Sequence, residues 1–142
     1  MTSSSSKKLP QWRIRDKARF LEAILTELAG DARVSFEGSL GNTRLMGLDG
    51  ATQDETAALK RNTTWPVQDF VVVPLEADRI DDMLRAIGMT IPRTILHFQV
   101  EKAGKLEFGL YDNPNSGMPF FGPTFSREFV KRLVDLGVVE TG

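Results

Sequence analysis

Three side chains that could carry acid–base chemistry lie on one predicted β-hairpin, residues 94–112. His97 and Tyr111 are the only histidine and the only tyrosine of the chain, and Glu107 lies between them. An imidazole paired with a carboxylate can transfer protons near neutral pH. Polar and apolar residues alternate along both strands, so one face should pack on a core while the other carries these groups. We identify no catalytic residue from the sequence, and His97 and Glu107 are the candidates for such a role.

The turn of this hairpin sets which of these groups can meet. A three-residue loop at 102–104, with glycine in the left-handed position, places Gly109 opposite His97 and puts Glu107 and Tyr111 diagonal to the imidazole. Glycine there leaves space for a ligand. The apolar set that this register turns inward is Leu96, Phe98, Val100, Leu106, Phe108 and Leu110. The alternative is a polar face whose side chains satisfy one another, because the sequence shows neither a pocket nor a group that would orient a substrate.

Exposed aromatic residues would serve a different function, the binding of a protein partner. Trp65 precedes Pro66 in an irregular region, and the run Met-Pro-Phe-Phe occupies residues 118–121. Aromatic side chains dominate interface energetics when exposed, whereas buried ones hold a loop on the core. The hydrogen-bonding groups at the end of the hairpin could contribute too. The predicted binding residues are Trp65, Tyr111, Asp112, Met118, Phe120 and Phe121.

Composition narrows the other classes of function. The chain has 142 residues, no cysteine and one histidine, which removes disulfides and thiolate metal sites. Helix capping accounts for the aspartates near residue 80, and no phosphate-binding loop is present, so we expect neither a metal nor a cofactor. The net charge is −1, and acidic residues interrupt the basic ones of the first helix, which gives no clear nucleic-acid signal.

Hydropathy predicts no membrane association, because no apolar run approaches the ~18 residues that a spanning helix needs. Residues 1–9 are rich in serine and lack the apolar core of a secretory signal. We interpret them as a disordered leader or a cloning remnant. A cysteine-free chain without a signal of this kind is expected in the cytoplasm.

The length and the periodic pattern of residues 10–142 predict a single domain. The predicted elements are a helix at 13–29, a hairpin at 33–40 and 43–48, an irregular connection at 49–66, a strand at 67–75, a helix from 78 to 87, the hairpin at 94–112 and a helix at 125–136. These elements predict an α+β fold in the order α-β-β-β-α-β-β-α. Its mainly antiparallel sheet has about five strands, and three helices pack largely on one face. The continuous apolar run at 70–73 predicts a strand that is covered on both faces and therefore central. The sheet face without helices should be open.

The leading hypothesis is a small soluble, non-catalytic domain that binds a protein partner, as an inhibitor or an adaptor does. In size and layout the chain resembles the small cysteine-free α+β inhibitors and immunity proteins that bacteria use against toxins, and this likeness of shape implies a protein partner. The alternative is an acid–base enzyme or small-molecule-binding domain with its site around His97. The oligomeric state does not follow from the sequence.

Overall fold

The computed structural model describes residues 12–41, 43–88, 94–111, 120–123 and 125–141. The predicted leader at residues 1–9 and the predicted binding residues Asp112 and Met118 lie outside these ranges. No helix in the described ranges is both long and apolar enough to cross a membrane.

The described chain forms a five-stranded antiparallel sheet, a separate two-stranded sheet and three α-helices. In chain order the elements are β1 (Trp12–Ile14), α1 (Lys17–Leu28), β2 (Ala32–Gly38), β3 (Asp69–Leu75), α2 (Ile80–Ile87), β4 (Ile95–Lys102), β5 (Lys105–Leu110), β6 (Phe120–Phe121), α3 (Arg127–Asp135) and β7 (Val139–Thr141). The large sheet has the order β3-β2-β4-β5-β6, and β1 pairs with β7 in the small one. The predicted α+β class, with five antiparallel strands and three helices, is confirmed.

The helices pack their apolar sides against one face of the large sheet. Ile24 and Leu25 of α1, Met83 of α2 and Phe129 of α3 belong to one buried cluster with alternate residues of the strands. The strand residues that face this cluster are Val34, Phe36, Val71, Val73, Phe98, Val100, Phe108 and Leu110. Burial of this apolar set supplies the main driving force of the fold.

Capping residues mark the helix ends, and the observed first and last helices are shorter than the periodicity predicts. The predicted first helix began at residue 13, but Trp12–Ile14 form β1, and the Asp16 side chain caps α1 by accepting the Arg19 N–H. The Ser126 side chain likewise accepts the Phe129 N–H at the start of α3. Leu136, predicted inside the last helix, follows its end and is exposed.

Two predictions about the strands are wrong. Residues 43–48 do not form the second strand of a hairpin, because Leu45–Gly47 are a short 3-10 helix. Strand β3 is covered on both faces as predicted, yet it lies at the edge of the sheet rather than in its centre. An edge position suits Pro74, which has no N–H to donate to a further strand.

The β4–β5 hairpin forms, but with a different register from the predicted one. Ala103 and Gly104 alone make the turn, and both have positive φ (51° and 79°), as in the tight turns that suit the strand twist. A bulge then follows between Val100 and Glu101, so Glu101 pairs with Leu106. Leu106 therefore faces away from the helices and packs on a second cluster, and the prediction that it turns inward is wrong.

A second irregularity changes the other end of β4. The register of β2 against β4 shifts between Glu37 and Gly38, so Gly38 pairs with Ile95. Ile95 consequently joins the main core, while Leu96 is half-buried and outside it. The predicted inward position of Leu96 is wrong for this reason.

The face of the sheet opposite the helices is not open, which corrects another prediction. Residues 52–68, which we call the strap, run across this face without regular secondary structure. The strap begins at a backbone bridge between Thr52 and Val72 of β3. It continues to the start of β3, so both ends of the strap lie at β3 while its middle contacts β2 and β4.

Candidate functional site

Five polar side chains are buried between the sheet and the strap, and we call them the polar layer. They stand on the two central strands: Ser35 and Glu37 on β2, and His97, Gln99 and Glu101 on β4. Each alternates with a core residue, so the pleat turns all five to the same face. Buried groups of this kind need hydrogen-bond partners because their transfer out of water is otherwise costly. The strap supplies several of those partners.

Glu37 makes the clearest contact between the polar layer and the strap main chain. Its side chain is only 1% exposed, and its two carboxylate oxygens accept the backbone N–H groups of Asn62 (2.7 Å) and Thr63 (3.1 Å). A charged acceptor makes hydrogen bonds about twice as strong as a neutral one. The carboxylate therefore fixes the backbone immediately before the turn at residues 64–67.

Gln99 and Glu101 hold the strap at two earlier points. The Gln99 amide donates to the Lys60 carbonyl oxygen at 2.7 Å and to Ser35 Oγ at 3.4 Å. Glu101 Oε1 accepts a hydrogen bond from the hydroxyl of Thr56. Together with Glu37, these side chains form hydrogen bonds with the strap at Thr56, Lys60, Asn62 and Thr63.

An apolar contact supplements these polar ones. Leu59 is fully buried and packs with Phe70 and Val72 of β3, and Leu106 lies against the same cluster. Full burial of a leucine side chain stabilises by roughly 1.5–3 kcal/mol. The strap is therefore held by one apolar anchor and a row of hydrogen bonds.

His97 lies under the strap, where its Nε2 is 2.8 Å from Thr63 Oγ1. Its ring is 5.7 Å from the ring of Tyr111, and the Tyr111 hydroxyl donates to Gln99 Oε1 at 3.3 Å. Partial burial raises the pKa of Tyr111 above its ordinary value of 10.0. His97, Tyr111 and the strap thus form one contiguous contact.

The predicted space beside His97 is filled in another way. The shifted register places Gly109 opposite Gln99, not opposite the imidazole. The Tyr111 ring lies directly over Gly109, where a Cβ would overlap its hydroxyl and ring carbons. Glu107, the other catalytic candidate, is buried and approaches Gly122 beyond β5. A described recess of about 330 Å³ touches the polar layer at Glu101 rather than at His97.

Beyond Thr63 the strap turns outward and exposes Trp65. We call residues 64–67 the tip. The Trp65 side chain is 84% exposed and Val67 is 70% exposed. The chain is held on both sides of the tip, since the Thr63 N–H donates to Glu37 and β3, paired with β2, begins at Asp69; the Gln68 amide also donates to the Pro66 carbonyl oxygen at 3.0 Å. The structure therefore presents an exposed indole on a well-held turn.

The second predicted aromatic segment divides between core and surface. Phe121 pairs with Phe108 and packs its ring against Phe108 and Phe125, so it stabilises the core side. Phe120 pairs with Gly109 and is 46% exposed. Because neighbouring strand residues point to opposite faces, Phe120 lies on the same side of the sheet as the strap.

The described geometry defines what this region can do. The polar layer binds main-chain and hydroxyl groups of the strap, and the tip exposes apolar surface. Within the described ranges, no group of three or more histidine, aspartate or glutamate side chains could hold a metal ion. The polar layer therefore supports the strap through hydrogen bonds, and the strap exposes the aromatic side chain of Trp65 at its tip.

Sequence reasoning missed most of the polar layer. Ser35, Glu37, Gln99 and Glu101 lie on the sheet face that the sequence predicts to be open, because polar residues that alternate with apolar ones usually face water. One signal was present in the sequence, since both central strands carry polar residues on the same face beside a long connection. The burial of those residues follows only when that connection is known to lie over them.

Comparisons with protein-family models, with curated proteins and with solved structures find no match to this chain. The function must therefore be argued from the geometry of the strap and the tip.

Proposed function

We propose that this protein is a non-catalytic domain that binds a protein partner through the tip of the strap. The observation that supports the proposal best is the 84% exposure of Trp65 on a turn between the Thr63 hydrogen bond to Glu37 and the start of β3. A monomer gains nothing from exposing so large an apolar side chain. Tryptophan is also among the residues enriched at the energetic centres of interfaces.

Burial of this one residue would supply a large share of the binding energy. An aromatic side chain buries about 150–250 Å² at an interface, which at ~25 cal/mol per Å² corresponds to roughly 4–6 kcal/mol. Ordering a flexible loop would consume part of that gain. The hydrogen bond of Thr63 to Glu37 and the pairing of β3 with β2 limit the freedom of the tip before any partner arrives. Val67 adds exposed apolar surface within the tip, and Phe120 is a second exposed aromatic residue on the same side of the sheet.

The polar layer serves this function indirectly. Glu37 fixes Asn62 and Thr63, and Gln99 fixes Lys60, so the side chains beneath the strap set the position of the tip above it. An inhibitor or an adaptor, which both act by presenting a preformed surface, fits this arrangement. The alternative of a small-molecule site at His97 receives less support, since Thr63 and Tyr111 occupy its surroundings.

Affinity capture from the native cell tests the proposal when three baits are compared. The wild-type chain should retain a protein that Trp65→Ala loses, and Leu136→Ala should retain it. Leu136 is a matched control because it is a large apolar residue, 59% exposed, at the end of α3. Both exposed substitutions should change the free energy of unfolding by less than about 0.5 kcal/mol. Identical captured proteins with all three baits, or none with any, would contradict a role for the tip.

A further inference from the structure

The tip has a cationic flank, formed by Lys60 and Arg61, whose side chains are exposed. The Arg61 guanidinium lies 5.0 Å from the centre of the Phe70 ring, and its Nη1 donates to the Gln68 carbonyl oxygen at 2.7 Å. A cation over an aromatic face is attracted by the ring quadrupole. Two independent contacts therefore hold the guanidinium in one place.

The position of that guanidinium is tied to the tip. Gln68 accepts from Arg61 through its carbonyl oxygen and donates through its amide to the Pro66 carbonyl oxygen. Arg61 therefore contacts the residue that directly follows the tip. A guanidinium has five N–H donors in a planar fork, and the contact to Gln68 uses Nη1 only.

Residues 60–68 contain no acidic side chain, and Lys60 and Arg61, just before the tip, are the charged residues of this segment. Two acids contact this part of the strap: the buried Glu37 accepts the N–H groups of Asn62 and Thr63, and Glu55 Oε2 accepts the backbone N–H of Arg61 at 2.6 Å. That contact leaves the guanidinium directed toward Phe70 and Gln68. The surface around Trp65 therefore combines an apolar anchor with a preorganised fork of donors.

We propose that the partner presents an acidic protein surface, with a carboxylate positioned for Arg61 beside an apolar pocket for Trp65. The inference rests on the proposed function and names the chemistry of its partner. Arginine binds a carboxylate through two parallel hydrogen bonds, and the guanidinium is already held for such a contact. A single-stranded nucleic acid could also stack on tryptophan beside a cation. Residues 60–68 carry two cations, whereas a nucleic-acid backbone is tracked by a longer basic groove, and this favours the protein partner.

Isothermal titration calorimetry at low ionic strength tests this chemistry with three probes. The first is a peptide of alternating leucine and glutamate, the second replaces each glutamate with glutamine, and the third is a single-stranded oligothymidylate. We expect the glutamate peptide to bind the wild-type chain at least about tenfold more tightly than the glutamine peptide, equivalent to ~1.4 kcal/mol. Arg61→Gln should abolish this preference and Arg61→Lys should keep part of it. Arg44→Gln, at an exposed arginine elsewhere, should leave it unchanged.

The outcomes separate this inference from the proposed function. Equal binding of both peptides that still depends on Trp65 would overturn the acidic partner and leave the tip as the binding surface. Binding that Trp65→Ala does not weaken would overturn both. No detectable binding of the glutamate peptide, or tighter binding of the oligothymidylate, would also overturn the acidic partner. Thermal unfolding of Arg61→Lys and Arg61→Gln shows whether either variant has lost its fold.

Discussion

Replacement of Glu37 by glutamine removes one of the two acceptors that hold the strap before the tip. In the wild-type chain the carboxylate accepts the N–H groups of Asn62 at 2.7 Å and Thr63 at 3.1 Å, and it is 1% exposed. In Glu37→Gln one oxygen becomes an NH₂ group, which is a donor. One strap N–H would then face a donor without water to replace the lost acceptor.

The expected loss of stability follows from these two contacts. A hydrogen bond to a charged group contributes about 1.5–3 kcal/mol, and a buried group left unsatisfied costs about 1–3 kcal/mol. Part of this loss is offset, because a neutral amide costs less to bury than a carboxylate. We therefore expect Glu37→Gln to lower the free energy of unfolding by about 2 kcal/mol. Glu37→Ala, which removes both acceptors, should lower it by about 3–4 kcal/mol.

Urea denaturation followed by circular dichroism measures this change, and amide hydrogen exchange locates it. In Glu37→Gln the amides of Asn62 and Thr63 should lose protection by a larger factor than the amides in the middle of β2 and β4. Glu22→Gln provides the matched control, because Glu22 is an exposed glutamate on α1. The control should change stability by no more than about 0.5 kcal/mol.

Two results would refute this reasoning. One is a change in the free energy of unfolding below about 0.5 kcal/mol for Glu37→Gln, which would mean that the carboxylate is not a buried acceptor. The other is unaltered exchange at Asn62 and Thr63 despite a loss of global stability, which would place the damage elsewhere than at the strap.

Three further predictions concern residues of the large sheet and its immediate flanks. Lys102→Met should lower the free energy of unfolding by about 2–3 kcal/mol in urea denaturation, because Lys102 Nζ donates to three carbonyl oxygens at the end of α1. Lys105 is its exposed cross-strand neighbour, and Lys105→Met should leave the free energy of unfolding nearly unchanged. Gly38→Ala should cost about 3 kcal/mol, since a Cβ there would overlap the backbone of residues 94–96, and unchanged thermal stability would contradict the bulge at this point. Burial raises the pKa of Tyr111 above 10.0, so its contribution to stability is complete below the unfolded value and is lost as the pH rises through the higher folded one. Stability measured against pH should therefore fall less steeply above pH 10.0 in Tyr111→Phe, and the absorbance of this single tyrosine should titrate at a higher pH in the folded chain than in the unfolded one.

Much of the fold follows from the apolar periodicity of the sequence and from the turn-forming residues that bound each element. The apolar repeats of α1 and α2 and the alternation along β4 and β5 predicted the elements and the α+β class. The run at residues 70–73 correctly indicated a strand covered on both faces. It did not show that the second cover is the strap, and for that reason β3 was placed in the centre of the sheet.

The candidate site was harder to predict because it depends on register and on long-range contacts. The two-residue turn and the bulge after it moved Leu106 to the strap face and Gly109 opposite Gln99. A bulge inserts one residue without any change in the alternating pattern that a reader of the sequence sees. The contact between Glu37 and Asn62 joins residues 25 positions apart in a segment that has no periodicity. Trp65 was predicted as a binding residue from its type and its irregular surroundings, and that function stays a prediction.

Site-specific photo-cross-linking in the native cell tests the central claim most directly, that the strap holds Trp65 outward for a protein partner. A photoreactive amino acid in place of Trp65 is compared with the same group in place of Leu136, the exposed apolar residue that follows α3. We predict a discrete cross-linked protein at position 65 that is absent at position 136 and reduced when Glu37→Gln loosens the strap. The same cross-links at both positions, or none at position 65, would contradict the claim.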